Sequence, residues 1–284
     1  MRAKLIKYLL SLISLVILLG GVFTYKSASF NDGKLHIVIC DVGQGDAIYI
    51  RTPSGKDILV DGGSNDNVLN CLSNHMPFWD KTIDLIVLSH PHADHLTGLI
   101  SVLDRYSLIH YATENVQISG VLHKKLQDKL AEKNITANYL KMGDRIEFSD
   151  QTKFETFWPD ENSLEKNIIA SENNSLVQLL SYGDFEFLLT GDIDVSILNK
   201  IENEIGDIDV LKVSHHGSKT GINGEFLSTV TPELAVISVG KENKYGHPAW
   251  QTIDFLKKYS VEIFRTDKNG EVEIVSDGKT YKVN

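Results

Sequence analysis

Two cysteines among 284 residues, Cys40 and Cys71, are too few and too far apart for a zinc knuckle. Cys40 falls in an apolar strand-like run and Cys71 in a helical one, so two buried thiols are expected ahead of a single disulfide. A basic surface is missing too. Residues 1–26 hold four of the 28 Lys and Arg and none of the 38 Asp and Glu, leaving the remainder at a formal charge of −14. Such a surface does not steer long polyanions, so any DNA contact must be a local patch. Long apolar runs are absent after residue 26, so at most one membrane span fits the chain.

That one run is Tyr8 to Tyr25, 18 uncharged residues preceded by Arg2, Lys4 and Lys7. A basic start before an apolar stretch predicts export, either by a signal peptide or by a single-pass anchor with its N-terminus inside. The length is near the lower limit for a span, about 17 residues. Ser27-Ala28-Ser29 is a poor cleavage site, which favours the anchor. The expected layout is 1–26 signal peptide or membrane anchor, 27–34 polar linker, and 35–284 an extracytoplasmic domain. An apolar content of 42% suffices for a proper core.

The chain is organised around His90-Pro91-His92-Ala93-Asp94-His95. The run Leu85–Leu88 before it reads as a buried strand, and Leu96, Leu99, Ile100 and Leu103 recur at helical spacing over 96–108. In an extended loop His90 and His92 point the same way and grip one cation. Asp94 and His95, at the turn into the helix, reach a neighbouring one. Imidazole and carboxylate suit zinc.

Strands are predicted over 35–40, 47–52, 58–60 and 83–88, with tight turns at Gly43-Gln44-Gly45-Asp46 and Asp61-Gly62-Gly63. Helices are predicted over 121–130, 195–205, 226–230 and 253–259. Strands are expected over 146–148, 154–158, 210–213 and 234–239, and a hairpin over 176–190. Pro159 to Ala170 is a polar excursion, and short strands close the chain. Asp84-Leu-Ile-Val-Leu-Ser-His90 is echoed by Asp209-Val-Leu-Lys-Val-Ser-His215. The echo suggests two similar β-rich halves with helices outside, a four-layer αβ/βα sandwich whose loops converge at one edge.

Further ligand candidates lie on that edge. Asp192 follows a buried strand, where its charge needs compensation; a shared metal supplies it, and capping of the next helix is the rival role. Of His215 and His216, adjacent residues that point apart, the echo favours His215 as ligand, with the assignment open to exchange. His247 precedes Pro248 in a rigid loop. The expected division is His90, His92 and His215 on one ion, Asp94, His95 and His247 on the other, and Asp192 between. Asp61 and Asp46 are candidates to accept the free N–H of a ligating imidazole. His36, His75, His110 and His123 are expected to be ordinary histidines.

The pattern H-x-H-x-D-H resembles the signature of the metallo-β-lactamase superfamily. Asp41 to Ala47, Leu59 to Gly63, Asn173 to Leu176, Leu189 to Asp192, Ser214 to Ser218 and Tyr245 to Pro248 are similar to the extracytoplasmic hydrolase domain of ComEC-type competence proteins. The resemblance runs from about Lys34 to the C-terminus. It implies the α/β (α+β) four-layer sandwich and two divalent metal ions, zinc first and manganese as the alternative. It also implies hydrolysis of a phosphodiester, with DNA the family's suggested substrate. The sequence departs from the family plan in having no clear histidine between His95 and Asp192, where Asn174 becomes a candidate substrate contact. Those competence proteins also carry many membrane spans.

The expected chemistry is attack by a hydroxide held between two metals roughly 4 Å apart. Asp94 would orient it, and His216 is the candidate proton donor or stabiliser of phosphoryl charge. A small-molecule hydrolase, acting on a choline-phosphate ester, lactam or thioester, would use the same ligands and suits the acidic surface better. A non-catalytic metal-binding domain should have lost ligands, and a redox di-iron protein should show a carboxylate at His92. No protein partner is implied; the expected partners are the phosphodiester, single-stranded DNA included, and the membrane.

Overall fold

The computed structural model describes residues 2–116, 120–166 and 172–284, with only part of the side chains in 2–30 and without those of 164–166 and 172. The last residues of the expected polar excursion, 167–170, lie outside that description. Fifteen strands are described. β1 (Leu35–Ile39), β2 (Ile48–Arg51), β3 (Asp57–Val60), β4 (Thr82–Leu88), β5 (Ser107–Thr113) and β6 (Ala137–Tyr139) belong to the first sheet. β7 (Arg145–Glu147), β8 (Lys153–Trp158), β9 (Val177–Tyr182), β10 (Phe185–Leu189), β11 (Val210–Lys212), β12 (Leu234–Ile237) and β13 (Glu262–Arg265) make the second. β14 (Val272–Ser276) and β15 (Tyr281–Val283) return to the first sheet, which runs β15-β14-β1-β2-β3-β4-β5-β6. The second runs β13-β12-β11-β10-β9-β8-β7.

Apolar residues on both faces of the central strands explain why both sheets are covered twice. Ile37, Ile39, Ile50 and Val87 meet Phe154, Leu180, Phe187 and Val236 between the sheets. Behind the first sheet, Val38, Leu59, Ile86 and Leu88 pack against helices Asn67–His75, Ala93–Arg105 and Val121–Glu132. Behind the second, Leu188, Leu211 and Ile237 pack against helices Val195–Ile205, Gly224–Val230 and Trp250–Lys258. Each fully buried large aliphatic side chain contributes about 1.5–3 kcal/mol. The four-layer αβ/βα sandwich is thus present.

The sequence echo has a structural counterpart. β3 pairs parallel with β4, and β10 parallel with β11. Asp84 accepts the backbone N–H of Asp57, and Asp209 accepts that of Glu186. In both halves an aspartate at the foot of one strand thus ties down the neighbouring strand, and the opposite, C-terminal strand ends carry the ligand loops.

Three expectations change, and one rival role falls away. The helix expected over 96–108 ends at Arg105, and residues 107–113 form β5, whose Tyr111 and Ala112 are buried on opposite faces. The β-rich pattern there was masked by Leu108 continuing the helical spacing. Cys40 and Cys71 are bonded in a disulfide, not free, because β1 and the helix Asn67–His75 bring their Cα atoms to 5.8 Å. Thirty-one residues apart, they close a loop that removes about 2–4 kcal/mol of unfolded-chain entropy. Capping of the helix Val195–Ile205 falls to Asp194, which accepts the N–H of Ser196, and Asp192 is left for another role.

The remaining change is at the N-terminus, where one helix spans Arg2–Phe30 and takes in residues 27–30 of the expected linker. Leu10, Leu12, Ile13, Leu15, Val16, Ile17 and Leu18 are exposed on it. Among the described residues no helix is long and apolar enough to cross a membrane.

Candidate metal centre

Two glycine turns set the floor of the site. A Cβ on Gly45 would lie 1.9 Å from the carbonyl oxygen of Asp94, so only glycine lets the β1–β2 loop press against the histidine loop. A Cβ on Gly191 would lie 2.0 Å from Ser175 Oγ, at the end of β10. Ser175 in turn accepts the N–H of Asp192 (3.2 Å) and lies 3.4 Å from His90 Nδ1.

Asp61 holds His95. Its backbone sits at φ 59°, and its carboxylate accepts the N–H of Ser89 (2.7 Å), the hydroxyl of Ser89 (2.6 Å) and Nδ1 of His95 (2.8 Å). An ionised carboxylate only accepts, so Nδ1 of His95 carries the proton and Nε2 presents its lone pair. That lone pair faces Asp192 Oδ2 at 3.3 Å.

His216 is arranged the same way from the other sheet. It follows β11 in the turn Ser214–Gly217, where His215 and His216 both adopt left-handed backbone, φ 51° and 54°. Each such residue costs about 1–3 kcal/mol, a strain that persists where surrounding structure enforces it. Nδ1 of His216 donates to the carbonyl of Ser238 (3.1 Å), with Asp46 Oδ1 a further charge contact at 3.3 Å. Its Nε2 therefore faces Asp94 Oδ2 (3.4 Å) and Asp192 Oδ2 (3.3 Å).

Among the described residues, ligand atoms of Asp94, His95, Asp192 and His216 all lie within 4.8 Å of one another. Nε2 of His90, His95 and His216 and Oδ1 of Asp192 are buried without a hydrogen bond. Lone pairs converging on carboxylate oxygens in a buried site need a cation between them. The donor set fits a divalent metal, three imidazole nitrogens and two carboxylates being ordinary zinc ligands.

The electrostatics agree. Burial opposes the charged form of His95, yet Asp192 and Asp61 outweigh it and raise its pKa well above the ordinary value. His216 is raised likewise, against burial, by Asp192 and Asp46. Asp192 is held well below the carboxylate range by His216 and His95, despite burial. Asp94, again against burial, is held at about 2 by the neighbouring His216 and His95. Without a cation between the rings and the carboxylates, a proton is thus favoured on His95 and His216; a metal ion would take the place of that proton and use the Nε2 lone pair. His90 is the exception: burial and the neighbouring His95 push it well down, toward the neutral imidazole that ligates metal.

The remaining candidates stand around this group. The His92 ring lies 4.5 Å from that of His90, and the His95 ring 4.1 Å from it. His215 Nε2 is 3.9 Å from Asp192 Oδ2, but the side chain is 26% exposed. His247 lies further out, its ring 5.7 Å from that of His215. The expected grouping of His247 with Asp94 and His95 is not found; His216 stands with them instead. Asn174 is fully buried, in a turn before β9. His36 and His75 pair with Glu273 and Glu271 away from the centre. His110 is exposed on β5, and His123 is half-buried on a helix.

Lys212 was missed. It is 1% exposed in β11 and donates to Asp46 Oδ2 at 2.6 Å and to the carbonyl of Val213 at 3.2 Å. A lone lysine inside Val210-Leu211-Lys212-Val213 was the available signal, since a buried ammonium requires a partner.

Residues 40–241 match the metallo-beta-lactamase superfamily. The chain is 26% identical over 276 residues to ComE operon protein 3 of Bacillus subtilis (strain 168), covering 88% of this chain and 34% of that protein. It is 27% identical over 265 residues to competence protein ComA of Neisseria gonorrhoeae, covering 91% and 35%. The chain thus spans about a third of the length of these relatives. The metallo-beta-lactamase fold protein YhfI of Bacillus subtilis superposes with a TM-score of 0.58 at 12% identity, over 84% of this chain and 99% of that one. With the match over residues 40–241 joined to the two-sheet sandwich and the buried ligand cluster at its edge, the chain belongs to the metallo-beta-lactamase superfamily, whose members are metal-dependent hydrolases.

Proposed function

We propose that the protein is a phosphodiesterase that works with two divalent ions, zinc or manganese, and acts on single-stranded DNA. The observation that carries this reading is the convergence of buried, unbonded Nε2 atoms of His90, His95 and His216 on Asp192. Asp94, His95, Asp192 and His216 would hold one ion; His90, beside Asp192, and His92, beside His90, would begin the second set, with His215 at its rim. When bound, the metals supply Lewis acidity to the phosphoryl group and lower the pKa of water. The chain's own residues do the positioning. Asp61 and Ser238 fix the tautomers of His95 and His216, and Asp94 accepts a proton or hydrogen bond at the mouth, where it is partly exposed. Similarity to competence proteins supports a DNA substrate.

Elemental analysis of the full-length chain should find about two zinc or manganese ions, and bis-p-nitrophenyl phosphate and single-stranded DNA should be cut only when metal is present. Trace metal in active protein would defeat this reading. With the domain at −14, binding should engage few phosphates. The slope of log affinity against log salt should then be shallower than about −3, at about −0.7 per phosphate. A protein that cuts simple diesters but not DNA at any salt is the small-ester hydrolase instead.

We further propose that the chain is exported and held at, or released from, the membrane by its N-terminal segment. Arg2, Lys4 and Lys7 before the uncharged run, and its exposed leucines and isoleucines, support this. Protease added to intact cells should degrade the domain while a cytosolic marker survives; equal protection of both would refute export.

A further inference from the structure

A ladder of rings leads from the metal centre to the surface. His215 Nε2 lies 3.9 Å from Asp192 Oδ2, the ring of His247 is 5.7 Å from that of His215, and Tyr245 stacks on His247 at 5.8 Å with planes 13° apart. Tyr245 is 70% exposed, and so, at 73%, is Trp250, which opens the next helix. An exposed aromatic face costs solvation with no packing in return, and two in six residues beside a candidate active site need a reason.

The loop that carries them is built to stay in place. The side chain of Asn243 donates to the carbonyls of Gly240 (2.9 Å) and His247 (2.8 Å) and accepts the N–H of His247 (2.9 Å). Ala249 N–H donates to the carbonyl of Gly217 (2.8 Å) and Thr252 Oγ1 to that of Ser218 (2.7 Å), tying the aromatic loop to the turn that presents His215 and His216. Lys219, Lys241 and Lys244 are exposed on the same loops, with Glu242 offsetting one of them, on a chain otherwise dominated by acid.

We propose that Tyr245, backed by His247, is a stacking platform for a nucleobase of single-stranded DNA, with Trp250 and the three lysines at its edge. The inference rests on the phosphodiesterase reading and adds what the substrate must carry: a π-face within one or two residues of the scissile phosphate. Strand binders of this kind join aromatic stacking to cationic contacts with the backbone, each ring contributing separately to affinity. A net acidic domain can thereby hold DNA with few charge contacts.

The test is fluorescence anisotropy of the full-length chain in EDTA, so that no strand is cut, with labelled oligothymidylate and an abasic strand of equal length. The wild type should bind the strand with bases more tightly. Tyr245→Ala should weaken that binding about tenfold and leave abasic binding within about twofold, while Tyr245→Phe, which keeps the ring, should restore it. A thermal melt of each variant separates lost folding from lost stacking. Equal affinity of the wild type for both strands, or equal loss on both in Tyr245→Ala, overturns the platform. If bis-p-nitrophenyl phosphate is still cleaved in that case, the platform alone fails. Base-dependent binding without metal-dependent cleavage of any diester would overturn the hydrolase reading and leave the platform standing.

Discussion

Replacing Lys212 with methionine should destabilise the metal-free protein by about 3–5 kcal/mol, read as a lower urea midpoint in EDTA. Methionine fills most of the volume, so the loss comes from charge and not from a cavity. Without Nζ at 2.6 Å, the buried carboxylate of Asp46 keeps one oxygen with no hydrogen bond and loses the bond to the other. Burial opposes the ionised form of Asp46, and Lys212 is the strongest influence holding its pKa down, with His216 next. The double variant Lys212→Met/Asp46→Leu removes both charges and should recover most of the stability. It should still bind zinc about 10–100-fold more weakly in competition with a chelating dye, because His216 loses the carboxylate beside its Nδ1. An unchanged midpoint in Lys212→Met would show that the pair contributes nothing net.

Asp192→Ala should reduce metal-dependent diester cleavage at least about a thousandfold, since Lewis-acid stabilisation is worth several kcal/mol and each 1.36 kcal/mol is tenfold. Its Oδ2 lies 3.3 Å from Nε2 of His95 and His216 and 3.9 Å from Nε2 of His90 and His215. Among the described residues no other carboxylate stands near so many of these imidazoles, so the rings would lose their shared anion and so would any bound ion. Elemental analysis should show metal falling in parallel. Asp192→Asn, which keeps size but not charge, should fail nearly as badly; if it retains metal and activity, hydrogen bonding and not charge is the contribution. Full cleavage with full metal in Asp192→Ala would place the active centre elsewhere.

Local pattern carried much of this molecule. His90, His92, Asp94 and His95 were legible because they crowd one strand-to-helix junction, and Asp192 because a carboxylate ends a buried strand. The two halves were legible because Asp84 and Asp209 recur at equal distance from their histidines. Periodicity failed where two elements share an apolar residue, as at Leu108, whose side chain fits a helical stripe but belongs to β5.

What depends on contacts between distant segments was not legible. The choice between His215 and His216 is made by a left-handed turn and by the position of Ser238, 22 residues on, which fixes the His216 ring with Nε2 inward. Cys40 and Cys71 are joined because a strand and a helix 31 residues apart pack on one face. Asp46 and Lys212, separated by 166 residues, pair only because the loops of both sheets meet at one edge. The candidate ligand loops and the strand-and-helix pattern are readable in the chain alone, since they follow from periodicity and residue chemistry within short windows. Which imidazole faces Asp94 and Asp192, and which charges stand behind it, follows from long-range packing, because side-chain direction at a loop is set by whatever the rest of the chain packs against it.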